Sequence, residues 1–132
     1  MTYYLDTNVM ISLLNDKNLN IMRRMTSLAR SNVKIPSMVM GEFITGGIKG
    51  GSERKKNNIN KLLSMFEIVP FDAEAAVIYA KIRAELEKKG NTIGSNDLII
   101  AATVLSRGGI LVTNNTKEFC RVEGLQIEDW SK

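Results

Sequence analysis

A chain of 132 residues, 44% hydrophobic and 24% charged, fits one folded domain around a single core, since domains most often hold about 100–150 residues. It contains no histidine and a single cysteine, which excludes Ser-His-Asp and Cys-His catalysis, histidine-containing zinc sites and an internal disulfide. The net charge of +4 is uneven: residues 17–61 hold ten basic and two acidic residues, a net +8, while the remainder carries −4. A one-sided basic field of this kind draws polyanions and speeds their encounter.

Taken in chain order, strands and helices alternate. Tyr3-Tyr4-Leu5 reads as a short apolar strand, followed by a helix that Thr7 caps and that carries Val9, Met10, Leu13 and Leu14. Ile21, Met22, Met25, Leu28 and Ala29 recur at helical spacing, so Leu19 to Arg30 is expected to be an amphipathic helix. Val33-Lys34-Ile35-Pro36 is the second strand. Ser37 caps a helix with Met38, Val39, Glu42 and Phe43 that should stop near Gly46-Gly47. Beyond the Gly50-Gly51-Ser52 loop, Ile59, Leu62 and Leu63 indicate a further helix, and Phe66 to Pro70 a third strand.

Asp72 caps the longest helix, with Ala75, Ala76, Tyr79, Ile82 and Leu86 on one face and Gly90 as its stop. Ser95 or Asn96 opens a helix that is apolar nearly all round from Leu98 to Leu105 and should therefore be central and buried. Ile110 to Thr113 is the fourth strand, and Leu125-Gln126-Ile127 a short edge strand. Alternation of this kind implies an α/β fold with a mostly parallel sheet of four to five strands, a single domain over residues 1–132. Cys120 is expected to pack rather than react. No apolar run approaches the roughly 18 residues of a membrane span, and the N-terminus shows no signal segment, so a cytoplasmic location is expected.

The chemistry-bearing residues gather where strands give way to helices. Asp6 follows the first strand, Glu42 lies on the third helix, Asp97 opens the buried helix, and Asn115 and Glu118 follow the fourth strand. In an open parallel sheet the carboxyl ends of the strands share one edge, where ligands bind. Carboxylates collected there repel one another unless a hard divalent cation, Mg²⁺ or Mn²⁺, sits between them and faces a phosphate. Asp6, Glu42 and Asp97 are the expected ligands, Glu42 partly through water, with Glu118 and Asn115 completing the site. Thr7, Asn8, Thr113 and Asn114 are close enough to support it. Helix capping offers an alternative account of Asp6 and Thr7, the helix dipole of Asp97, a solvated face of Glu42 and turn chemistry of Thr113 and Asn114. Arg23, Arg24, Lys49, Arg54, Lys55 and Lys56 are the expected grip on a nucleic-acid backbone.

Leu5-Asp6-Thr7-Asn8, Glu42, Ile93-Gly94-x-x-Asp97 with Ile100-Ala101-Ala102, and Val112-Thr113-Asn114-Asn115-x-x-Glu118-Phe119 together resemble the PIN-domain ribonucleases. The resemblance runs from Leu5 to Trp130 and is closest to the VapC toxins of toxin–antitoxin pairs. It implies a PIN-like three-layer α/β/α domain, a metal-dependent endoribonuclease leaving 5′-phosphate and 3′-hydroxyl ends, a homodimer, and a small antitoxin that blocks the crevice. The stretch from Asn114 to Phe119, followed by Gly124-Leu125 and Glu128-Asp129-Trp130, is similar to the VapC group that cuts initiator tRNA in its anticodon stem-loop and so inhibits translation. Asn115 stands where many PIN domains carry Asp, which leaves Asn115 and Glu118 as alternatives for the fourth site role. Two rivals remain: a non-catalytic RNA- or partner-binding domain of the same fold, and an aspartyl-phosphate phosphatase. The second expects an Asp two residues after Asp6, where this chain has Asn8.

Overall fold

A computed structural model describes all residues from Met1 to Lys132. Five strands form one sheet in the order β3-β2-β1-β4-β5: β1 (Tyr3–Leu5), β2 (Val33–Pro36), β3 (Glu67–Val69), β4 (Ile110–Val112) and β5 (Gln126–Glu128). Every pairing is parallel, so each connection must cross over one face. Helices α1 (Thr7–Asn15), α2 (Leu19–Thr26), α3 (Ser37–Gly50) and α4 (Glu53–Leu63) lie on the connections running outward to β3. The return to β4 carries α5 (Ala73–Lys88) and α6 (Ser95–Ser106), and α7 (Thr116–Phe119) links β4 to β5. With right-handed crossovers the outward and return helices cover opposite faces of the sheet, giving the three layers expected.

The core follows from composition by layer. The central strands β1, β2 and β4 bury Leu5, Ile35, Leu111 and Val112 completely, as strands covered on both faces do. Ile100, Ala101, Ala102 and Val104 of α6 are equally inaccessible; that helix is the buried one its composition foretold. Its small alanines let it lie close to its neighbours.

Several expectations need correction. Helix α2 ends at Thr26 rather than Arg30, because Thr26 Oγ1 and Ser27 Oγ donate back to the carbonyls of Arg23 and Arg24 at 2.9 and 2.7 Å, and Ala29 is already extended. Helix α3 runs through Gly46-Gly47 and stops at Gly51, where φ is +76°. Gly47 is there for space: a Cβ on it would lie 2.6 Å from Ile59 Cδ1 of α4. Neither Thr7 nor Ser37 caps its helix. Asp6 takes that role on α1, accepting from Thr7 N, and Ser37 Oγ instead accepts from Phe71 N across to the β3–α5 loop. The edge strand begins one residue later than expected, at Gln126. Ala76 faces solvent, and so does Cys120, because the one-turn α7 buries only Phe119.

Candidate active site

Strand order reverses at β1 and β4: β1 leads toward β2 and β3, while β4 lies on its other side. Leu5 and Val112 are register partners, so the residues after them, Asp6 and Thr113, emerge side by side at the carboxyl edge. This is the switch point at which open α/β sheets bind ligands. Asp6 N donates to Val112 O at 2.9 Å, and Thr113 N to Glu128 O at 3.0 Å, which anchors both residues to the sheet.

Asp6 is only 6% exposed. Its Oδ1 accepts from Thr7 N at 2.8 Å and its Oδ2 from Thr113 Oγ1 at 2.7 Å. Burial pushes its carboxyl above the ordinary range; these two hydrogen bonds oppose the shift and the charge of Glu42 adds to it. Thr113 is wholly buried and its hydroxyl also accepts from Asn115 N at 3.0 Å, so one oxygen ties the Asp6 carboxylate to the turn after β4.

Glu42 reaches the same edge from the second turn of α3. Thr7 Oγ1 donates to its Oε1 at 2.6 Å and Asn96 Nδ2 to its Oε2 at 3.3 Å. Asp97 is the third residue of α6. Its carboxyl is pushed up to about 6, first by burial, then by the charges of Asp6 and Glu118, by hydrogen bonding with Glu118, and by Glu42. Glu118 in turn accepts from Asn115 Nδ2 at 3.4 Å; Thr116 does start a helical turn, which puts the two side chains on one side. Asn8 Nδ2 donates to Asn114 Oδ1 at 3.4 Å, joining the start of α1 to the β4–α7 turn.

Four carboxylates from four separate segments therefore meet at one edge, and Asp97 senses the other three. None of them takes part in the ion pairs of the molecule, which involve Glu53, Glu67, Asp72, Glu85, Glu87 and Glu128. An all-oxygen, uncompensated donor set is the chemistry that suits a hard divalent cation, and the raised Asp97 carboxyl records the repulsion such a cation would relieve. As placed, no three of these acids close into a finished ion cage; their oxygens are occupied by Thr7, Thr113, Asn96 and Asn115.

The expected basic residues separate into different environments. Lys55 and Glu42 both line a small cavity of about 100 Å³, with the Lys55 amine against Gly50 at the far end of α3. Lys56 pairs with Glu53 at 3.6 Å. Lys49 and Arg54 are exposed around the α3–α4 junction. Arg24 is committed elsewhere: it pairs with Glu128 at 3.4 Å and lies 5.5 Å from the ring centres of Tyr3 and Trp130. With Arg23 it borders the largest groove, about 510 Å³, between α2 and the C-terminal tail; Glu128 and Asp129 line that groove too and offset its positive charge. Asn96 is a site residue that the sequence did not single out. Its only signal was its place directly before Asp97 at a helix start.

The sequence matches the PIN domain family over residues 3–125. The chain belongs to the PIN domain family. Within it the chain is of the VapC type. It is 40% identical to ribonuclease VapC2 of Rickettsia felis over the whole of both chains. It is 39% identical to the tRNA(fMet)-specific endonuclease VapC of Shigella flexneri, over 99% of each. Among solved structures, VapBC2 from Rickettsia felis bound to a DNA fragment from their promoter superposes with a TM-score of 0.92 at 36% identity, covering 98% of this chain and 99% of that one. The PIN fold that the resemblance implied is thus the observed one, and the sheet expected to be mostly parallel is parallel throughout.

Proposed function

We propose that this VapC-type PIN domain is a metal-dependent endoribonuclease toxin that hydrolyses a phosphodiester of RNA and is held in check by a small antitoxin. The observation that carries the reading is the convergence of Asp6, Glu42, Asp97 and Glu118 without a cationic partner, with Asp97 raised to about 6 by burial and by the other three. Asp6, Glu42 and Asp97 would hold Mg²⁺ or Mn²⁺, with Glu118 and Asn115 at the fourth position. A bound cation supplies Lewis-acid polarisation of the phosphate and a water of lowered pKa. The protein's own part is to fix the carboxylates: Thr113 and Thr7 N hold Asp6, Thr7 Oγ1 and Asn96 hold Glu42, and Asn115 holds Glu118. Lys55, which lines the same small hollow as Glu42, would meet a phosphate entering it.

The favoured substrate is initiator tRNA, cut in the anticodon loop and so blocking translation in the cytoplasm. The name of the Shigella flexneri relative supports it, and so does shape: an unstacked loop can bend its backbone into an acidic edge, whereas a stiff duplex resists. The antitoxin rests on likeness to the VapBC complex, and a homodimeric assembly on the family resemblance of the sequence alone. The test is cleavage of total cellular RNA by purified protein with Mg²⁺ or Mn²⁺, compared with Asp97→Asn. Loss of cleavage in the variant supports the assignment; equal cleavage refutes it.

A further inference from the structure

Glu42 has no tie of its own to the main chain at the sheet edge. It reaches in from α3 on a flexible stem, and holding a side chain of this length still costs conformational entropy unless its head is bound. Both oxygens of that head are held by neutral donors from other helices. Thr7 Oγ1 of α1 donates to Oε1 at 2.6 Å, and Asn96 Nδ2 of α6 to Oε2 at 3.3 Å. Asn96 is exposed and adjoins Asp97, so one helix start carries both an acid of the cluster and the support of another.

We infer that Asn96 is a positioning residue for the cation site: its amide fixes the Glu42 carboxylate toward Asp97 and so sets the affinity for the divalent ion. The inference rests on the metal-dependent reading proposed above. The residue type matters. A Lys at this place would neutralise the acids and compete with the cation, and an Asp would repel Glu42. An amide holds the carboxylate without altering the charge of the site. Without Asn96, Glu42 keeps only the Thr7 bond and can swing about it. Residues that orient ligands from outside the metal's own shell typically shift affinity or activity by about 10–100-fold when removed; a single exposed bond of 3.3 Å belongs at the lower end.

The experiment titrates full-length protein with Mn²⁺ alone and follows the thermal midpoint, for wild type, Asn96→Ala and, as a control one position earlier, Ser95→Ala. Asn96→Ala should need about tenfold more Mn²⁺ to reach the same rise in midpoint, while its metal-free midpoint stays within about 3 °C of wild type, as expected for a surface substitution. Ser95→Ala should titrate as wild type does. An unshifted titration in Asn96→Ala, or a metal-free midpoint that falls much further, overturns the inference and marks Asn96 as an ordinary helix-start residue. In the first case a metal-responsive wild type that cleaves RNA leaves the proposed function standing. A wild type indifferent to Mn²⁺ removes the metal reading, and this inference with it.

Discussion

Burial first, and then the charges of Asp6, Glu118 and Glu42, push the Asp97 carboxyl from the ordinary 3.8 up to about 6. An acid whose folded value is raised favours the fold when protonated. That contribution is complete below pH 3.8 and is lost as the pH rises through about 6. Asp6 is shifted in the same direction by its burial. Metal-free protein should therefore lose thermal stability as the pH is raised from about 4 to about 6 and level off above that. In Asp97→Asn the same profile should be flatter, because one of the titrating groups is gone. Asp97 is half-exposed and solvent screens part of the effect, so the slope of midpoint against pH is the quantity to compare. Equal slopes would show that the four acids are too far apart to matter. The same substitution should raise metal-free stability at neutral pH while abolishing RNA cleavage, a pairing that separates a functional carboxylate from a structural one.

At the scale of elements, the seam between α3 and α4 forms a hollow lined by both Glu42 and Lys55. Helix α3 continues through two glycines that look like a stop, because Gly47 lets Ile59 approach where a side chain would collide. Gly47→Val should destabilise the protein by about 1–3 kcal/mol, as overpacking of a well-filled contact does. Chemical denaturation measures it. No loss would mean that Ile59 simply swings aside. With the seam intact, neutralising Lys55 and Lys56 together should weaken RNA binding and reduce its salt dependence by up to about 0.7 log units per lost phosphate contact. Binding measured across a salt series decides. Most of the effect should come from Lys55, since Lys56 is paired with Glu53 and Lys55 faces the hollow. An unchanged slope would assign both lysines to solvent.

The whole molecule sets an acidic crevice in a domain whose residues 17–61 carry a net +8. Repulsion between the crevice and a polyanion is countered by attraction to the flanking helices, which suits a substrate that lays a bent backbone across both. Incubating the purified protein with Mg²⁺ and total cellular RNA, then sequencing new 5′ ends, should show one dominant cut in the initiator tRNA anticodon loop. Dominant cuts in ribosomal RNA, or cuts scattered through mRNA, would retain the nuclease and reject that target.

The order of elements and the identity of the acids were legible in the residues. Hydrophobic runs of strand or helix period are local properties, and Asp6 and Asp97 each adjoin such a run. So was the buried character of α6, since nothing between Leu98 and Val104 is charged. The ends of α2 and α3 were not legible. They depend on hydroxyls folding back onto carbonyls and on the room Ile59 leaves at Gly47. The chain alone supplied candidate cations but no means of ranking them. Only the tertiary structure separated Lys55, exposed and lining a hollow with Glu42, from Arg24, spent on Glu128, Tyr3 and Trp130. It also gave the helix cap to Asp6, the capping account already open for that acid, and turned the Thr7 hydroxyl to Glu42. It alone brought Asn96 onto Glu42, 54 residues away along the chain. Periodicity fixes which face a residue occupies, but its hydrogen-bond partner depends on which helix the sheet sets opposite it.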